Sequence, residues 1–166
     1  SEITGCQIFE NTVNDNGAGV YFDTSYCSIK QCLLSANTAT NNGGAIYANP
    51  STIFLENCAI VDNSSSSGAG LYMYAGTASV VNCSINMNMS SSNAGGVVSW
   101  KANSRVSLSN CAICSNAQAQ IATNQGYAGA NYCNIQNGYA GTGNTTNDPV
   151  LYMDHYHLFN TNSACY

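Results

Sequence analysis

The stretch Leu55-Glu-Asn-Cys-Ala-Ile-Val-Asp-Asn63, continued by Gly68-Ala-Gly-Leu-Tyr-Met73, is one copy of a unit that recurs along most of the chain. Each copy reads as an aliphatic residue, then Cys-x-[Ile/Leu]-x-x-Asn, then a glycine pair and an apolar run. Upstream copies carry Ile3, Cys6, Ile8, Asn11, Gly17 and Gly19, then Ile29, Cys32, Leu34, Asn37, Gly43 and Gly44. Downstream come Val80, Cys83, Ile85, Asn88, Gly95 and Gly96, then Leu108, Cys111, Ile113 and Asn116 without the glycine pair. Cys133 and Ile135 open a sixth, decaying copy, and successive cysteines are 26, 26, 25, 28 and 22 residues apart.

A unit of this length with neither helical periodicity nor heptads cannot bury its apolar face alone, so copies must stack. Within each copy the apolar residues alternate in short runs, such as Cys58/Ile60 and Ala69/Leu71/Met73, as half-buried strands do. The three-residue step from Leu55 to Cys58 breaks that alternation and predicts a bend. Gly5, Asn57, Asn82 and Asn110 stand there, all tolerant of left-handed backbone, with Gln31 as the exception. These features predict an all-β protein, a right-handed parallel β-helix (solenoid) of about six coils with roughly three short strands per coil. The hand comes from the general crossover preference. Residues 1–137 are expected to form the coils and 138–166 a C-terminal capping segment of the same domain.

Charged residues make up 7% of the 166-residue chain, three basic against eight acidic, which excludes a basic surface for nucleic acid. No 18-residue apolar run suits a membrane span. No signal-peptide pattern opens the chain, so a secreted form is expected to have lost one. Ser1 begins inside a repeat, and an uncovered coil leaves an open strand edge. Two explanations are expected: the chain is cut from a longer polypeptide, or a neighbouring subunit covers the edge.

The column Cys6, Cys32, Cys58, Cys83, Cys111 and Cys133 should point inward, in phase with Ile8, Leu34 and Ile60. It reads as a ladder of small apolar thiols, with disulfides between adjacent coils as the alternative. A metal would need a tetrahedral cluster rather than a column, so no metal or cofactor is expected. Cys27, Cys114 and Cys165 lie off the column. A bridge from Cys165 to Cys114 or to Cys133 would fasten the tail and imply an oxidising compartment.

Asn11, Asn37, Asn63, Asn88 and Asn116 form a second column, expected to be an amide ladder at a turn. Sequons begin at Asn63, Asn82, Asn88 and Asn144. Asn82 adjoins a buried cysteine, which leaves Asn63, Asn88 and Asn144 as candidate glycosylation sites, the first two only if their side chains leave the ladder. A third column, Tyr21, Tyr47 and Tyr72, should face outward if Val20, Ile46, Leu71 and Val97 face inward, with Trp100 on the same side. Three roles stay open for it: the rings stack on each other, contact another subunit, or contact a glycan.

Catalytic residues are harder to assemble. Glu10 and Asp62 share a column but stand two coils apart, roughly 9.6 Å at the strand spacing, with Ala36 between them. Lys30, Lys101 and Arg105 belong to other coils and columns. Asp148, Asp154, His155 and His157 form the densest titratable group, in the expected capping segment. Scattered threonines do not make the regular Thr-x-Thr column of an ice-binding face.

Gly43-Gly-Ala-Ile46 with Ile60-Val-Asp-Asn63 resembles the repeats of polymorphic membrane protein passengers, which are β-helical surface adhesins. The run from Asn110-Cys-Ala-Ile-Cys-Ser-Asn116 through Ala119-Gln-Ile121 and Gly138-Tyr-Ala-Gly-Thr-Gly-Asn144 to Asp148-Pro-Val150, Tyr156-His-Leu158 and Ser163-Ala-Cys165 is similar to the closing coil of secreted β-helix proteins. Those belong to the pectin-lyase-like superfamily, choice-of-anchor type. Ser163-Ala-Cys-Tyr166 departs from that family's usual ending, and Tyr152 replaces its Phe one place on. The resemblance implies a secreted or cell-surface location. The expectation is a non-enzymatic extracellular structural or adhesive protein, self-associating end to end into a fibre or meeting a neighbouring β-helix segment at its N-terminal edge. The alternative is a carbohydrate-active (polysaccharide lyase- or hydrolase-like) or glycan-binding domain, with a polysaccharide as partner.

Overall fold

The computed structural model describes residues 1–146. Asp148, Asp154, His155, His157, Cys165 and most of the expected capping segment lie outside the described residues. The chain forms a β-solenoid of about five turns, close to the six expected, in which every strand pairing is parallel. No helix occurs among the described residues.

Each full coil contributes to four sheets rather than three. Sheet 1 stacks Glu2–Thr4, Tyr26–Lys30, Ser51–Glu56, Gly76–Val81, Ser104–Ser109 and Tyr127–Asn131. Sheet 2 stacks Gln7–Phe9, Leu33–Ser35, Ala59–Val61, Ser84–Asn86, Ala112–Cys114 and Asn134–Ile135. Sheet 3 is made of two-residue strands at Thr12–Val13, Thr38–Ala39, Ser64–Ser65 and Met89–Ser90. Sheet 4 holds Val20–Asp23, Ile46–Asn49, Leu71–Met73, Val97–Ser99 and Ile121–Thr123. Sheet 3 escapes a sequence reading because two residues cannot display an alternation.

The bend between sheets 1 and 2 falls where the spacing predicts it. Gly5, Gln31, Asn57, Asn82, Asn110 and Tyr132 all have positive φ, from 52° to 63°. A second left-handed corner, between sheets 2 and 3, uses Glu10, Ala36, Asp62, Met87, Ser115 and Asn137, with φ from 53° to 68°. Left-handed backbone costs a non-glycine residue about 1–2 kcal/mol, so both corners are held by the stacking on either side. The chain then crosses to sheet 4 through Gly17, Gly43 and Gly68, with φ of 68°, 65° and 60°.

The core is a column per inward position. Ile29, Leu55, Val80 and Leu108 line sheet 1, Leu34, Ile60, Ile85 and Ile113 line sheet 2, and Ile46, Leu71 and Val97 line sheet 4, all fully buried. Register pairs like with like, Ile60 beside Leu34 and Ile85, so each aliphatic side chain packs on its own kind one coil away.

Backbone geometry gives the first expected outcome. A Cβ at Gly43 would stand 2.5 Å from the Ile46 carbonyl oxygen at positive φ, so Gly43→Ala should lose at least about 2 kcal/mol in urea unfolding. Gln31→Asn, placing a left-handed-tolerant residue at φ 52°, should gain up to about 1 kcal/mol.

Candidate functional surfaces

The asparagine column is bonded on every face. The backbone N–H and the Nδ2 of Asn11 donate to Asn37 Oδ1 at 3.2 and 2.9 Å, and Asn37 repeats this to Asn63 at 3.0 and 2.9 Å. Asn63 does the same to Asn88, and Asn88 to Asn116. The second Nδ2 hydrogen reaches a sheet 2 carbonyl one coil back: Asn37 to Ile8, Asn63 to Leu34, Asn88 to Ile60 and Asn116 to Ile85. Asn37, Asn63 and Asn88 are 0% exposed. Each buried amide therefore has both donors and two acceptor directions filled, which a buried polar group requires.

In the folded chain the Nδ2 that would carry a sugar at Asn63 or Asn88 is buried and hydrogen-bonded, so glycosylation at either requires its side chain to leave the ladder. Asn144 is also engaged. Its Nδ2 donates to the carbonyls of Ala130 and Tyr139, at 2.9 and 3.0 Å, and its Oδ1 accepts from the Cys133 N–H at 2.9 Å.

The cysteine column faces inward beside it. Cys32, Cys58, Cys83, Cys111 and Cys133 are buried thiols, and Cys6 is exposed at the first coil. Backbone N–H groups donate to the sulfur of the next coil, Cys6 to Cys32 at 3.4 Å, Cys58 to Cys83 at 3.5 Å and Cys111 to Cys133 at 3.4 Å. Hydrogen bonding to Cys58, joined by burial, holds the Cys83 thiol well above its usual pKa, and bonding to Cys133 with burial does the same for Cys111. Cys114, next to the inward Ile113 on sheet 2, is itself buried at 2% exposure. Cys27 is a sheet 1 core residue, level with Ile53.

The tyrosine column is not an exposed stripe. Tyr21 is 50% exposed, but Tyr47 and Tyr72 are 7% and 4% exposed. Tyr47 and Tyr72 cluster with Ala94 and Val98, and the rings stack, Tyr21 on Tyr47 at 5.1 Å and 19°, Tyr47 on Tyr72 at 5.6 Å and 10°. Trp100 is tilted against Tyr72 at 6.0 Å, and Lys101 caps the Tyr74 ring at 5.2 Å. Burial, then the neighbouring phenols, pushes Tyr47 up to about 12 and raises Tyr72 further. Of the three roles open to these residues, ring stacking is the one that the geometry shows.

Besides Tyr21, Phe9 and Tyr132, exposed rings stand on the outer face of sheet 1. Tyr26 and Tyr127 are 67% and 57% exposed, and Phe54 packs against Tyr26 at 5.5 Å. Register aligns Tyr26, Thr52, Thr77, Arg105 and Tyr127 in one row and Ser28, Phe54, Ser79 and Ser107 in the next. Alternation already placed these side chains outward, but a sequence reading drawn to the repeat passes over them because they do not recur.

Glu10 and Asp62 sit at the second corner with Ala36 between them. Lys30 pairs with Glu2 at 3.7 Å on the open surface, where solvent screens the contact. A groove of about 460 Å³ at the first corner is lined by Gln31, Cys32, Leu33, Asn57, Cys58, Ala59, Asn82 and Ser84, which offer amides, a hydroxyl and two thiols but no carboxylate or amine.

Three expected outcomes follow from the ladders. Asn63→Ala should cost about 3 kcal/mol, since it strips several buried hydrogen bonds at once. Asn63→Asp should cost more at pH 7, because a carboxylate turns acceptors toward Asn88 Oδ1 and the Leu34 carbonyl. Its buried carboxyl would have a raised folded pKa, so stability should recover as pH falls below that value; chemical unfolding at pH 4 and pH 7 checks the sign. Among the ladder cysteines, a maleimide at pH 7.5 should modify Cys6 at least about tenfold faster than Cys83 or Cys111, read by peptide mapping of the native protein.

Comparison of the chain with protein-family models, with curated proteins and with solved structures finds no match.

Proposed function

We propose that this β-solenoid is a non-enzymatic structural or adhesive protein that works outside the cell or on its surface. The carrying observation is where the recurring residues go: asparagines, thiols and tyrosines are spent on bonding one coil to the next. What repeats is wall, and what is left for contact is a broad flat face. The resemblance to polymorphic membrane protein passengers and to pectin-lyase-like, choice-of-anchor proteins supports the same placement. Low charge with abundant Ser, Thr and Asn suits a surface that stays soluble without binding polyanions.

A second reading, glycan contact, moves from the tyrosine column to sheet 1. Tyr26, Phe54 and Tyr127 present rings among the hydroxyls of Thr52, Thr77 and Ser79, with Arg105 beside Tyr127 in the same row, a surface suited to sugars.

Beads coated with the protein should adhere to immobilised polysaccharides or matrix glycoproteins, and the triple variant Tyr26→Ala, Phe54→Ala, Tyr127→Ala should lose most adhesion with Tm little changed. Adhesion equal to wild type would remove sheet 1 from the account. Retardation in gels cast with neutral polysaccharides tests the glycan reading separately. New reducing ends or unsaturated uronates on incubation with pectin or alginate would sink the non-enzymatic assignment.

A further inference from the structure

Sequons begin at Asn63, Asn82, Asn88 and Asn144, and the fold treats one of them differently from the rest. Asn63 and Asn88 are ladder residues at 0% exposure. Their hydroxyl partners are buried too: Ser65 Oγ donates to the Ser67 carbonyl at 2.9 Å, and Ser90 Oγ lies 3.0 Å from the carbonyls of Ser66 and Asn93. Asn144 holds its Nδ2 against two carbonyls.

Asn82 is the exception, and the buried cysteine beside it is the reason. Cys83 and Ile85 both point into the core, so alternation turns Ser84, which stands between them, outward. Asn82 sits just ahead of them on the first corner at φ 53°, a left-handed conformation that asparagine tolerates. It is exposed, and Ser84 is half-buried. Asn82 Oδ1 accepts from Asn110 Nδ2 at 2.7 Å, while Asn82 Nδ2 meets no acceptor among the described residues. Ser84 Oγ accepts from Asn86 Nδ2 at 3.0 Å, and both sequon residues line the groove of about 460 Å³ at that corner. The expectation that a neighbouring buried cysteine makes Asn82 inaccessible is thereby reversed.

We propose that Asn82 is the acceptor for an Asn-linked oligosaccharide that the folded solenoid carries at its first corner. This rests on the extracellular placement proposed above, since transfer needs an oligosaccharyl transferase acting on exported chains. In the transfer, Asn82 Nδ2 attacks the anomeric carbon of a lipid diphosphate-linked oligosaccharide. The bond from that carbon to the diphosphate oxygen breaks, the lipid diphosphate leaves with the electron pair, and one Nδ2 hydrogen passes to solvent as a proton. The amide keeps its other Nδ2 hydrogen and its Oδ1, so the bond from Asn110 survives. The groove beside it leaves open space for the first sugar. At Asn63 and Asn88 the same exchange removes a hydrogen that the ladder uses and puts a sugar ring inside the packed wall. Transfer acts on the unfolded chain, so folding sorts the products: sugar on Asn82 is compatible with the stack, and sugar on either ladder residue is not.

The test secretes the whole chain from a host that glycosylates exported proteins, beside the double variant Ser65→Ala, Ser90→Ala. That variant destroys both ladder sequons and leaves Asn63 and Asn88 in place. Each chain carries a C-terminal tail with one accessible sequon, which reports that the transferase has acted. Enzymatic deglycosylation in heavy-oxygen water, followed by peptide mapping, marks every asparagine that bore sugar. Asn82 should be marked in most molecules of the native, secreted fraction of both chains, with Asn63 and Asn88 unmarked there. Wild-type chains marked at Asn63 or Asn88 should be retained in the cell. Asn82→Gln should abolish the mark at that position and leave Tm within about 2 °C, since Gln31 already occupies the same corner one repeat away from Asn57. A bare Asn82 in the double variant whose tail is occupied would overturn the proposal. So would native secreted protein marked at Asn63 or Asn88, or a double variant marked at Asn82 and retained unfolded. The host supplies the transferase, so these outcomes are read apart from whether the protein is exported in its own cell or adheres through sheet 1.

Discussion

A primary amide buried in a protein wall must satisfy two donors and an acceptor oxygen, and this molecule is organised around doing so in single file. Each asparagine of the column is the complement of the next, so the residue can recur only if coil follows coil at one fixed height and rotation. Aliphatic columns alone would tolerate a slip of register, because Ile on Leu packs about as well as Ile on Ile. The amide column would not, since a slip leaves bonds unmade at several kcal/mol in all. The ladder thereby converts a generic apolar stack into one with a single register. The thiol column contributes differently: a small, weakly polar side chain fits the tight bend next to the first corner and accepts a backbone N–H without needing one.

The same constraint explains where the left-handed corners fall. Asp62 at φ 56° immediately precedes Asn63, and Ala36 at φ 53° precedes Asn37, so the strained residue turns the chain and aims the amide along the axis. Side-chain identity at this corner hardly matters, as Glu, Ala, Asp, Met, Ser and Asn in one column show. At the first corner Gly and Asn dominate, and that corner was legible. The second was not, because its geometry is imposed by the ladder behind it and leaves no trace in residue type.

Legibility elsewhere follows the same division. Spacing alone was enough for the solenoid, the inward thiols and the asparagine column, since each rests on strict recurrence. The tyrosine column was read as exposed because alternation says which side of a sheet a residue takes, not how far the rings stacked above and below bury it. The side chains that end the amide and thiol columns were invisible for another reason. Gln120 lies four residues past Asn116 and Asn144 eleven past Cys133, both off the repeat, so recurrence could not find them.

Directionality is what separates the two ends. A column of identical apolar residues would present the same chemistry above and below, and a solenoid built only of these would be equally adhesive at both. Here each asparagine donates to the next amide through its N–H and one Nδ2 hydrogen and back to the preceding coil's sheet 2 carbonyl through the other, so the last amide of the column must be met by something that can accept. Gln120 does this with a side chain one methylene longer, reaching back across a shortened turn to Asn116. Asn144 does it for the backbone above the last thiol and at the same time donates into sheet 1 at Ala130. Closing the columns with side chains outside the repeat, at Gln120 and Asn144, gives the stack a polarity that its fold class alone does not require.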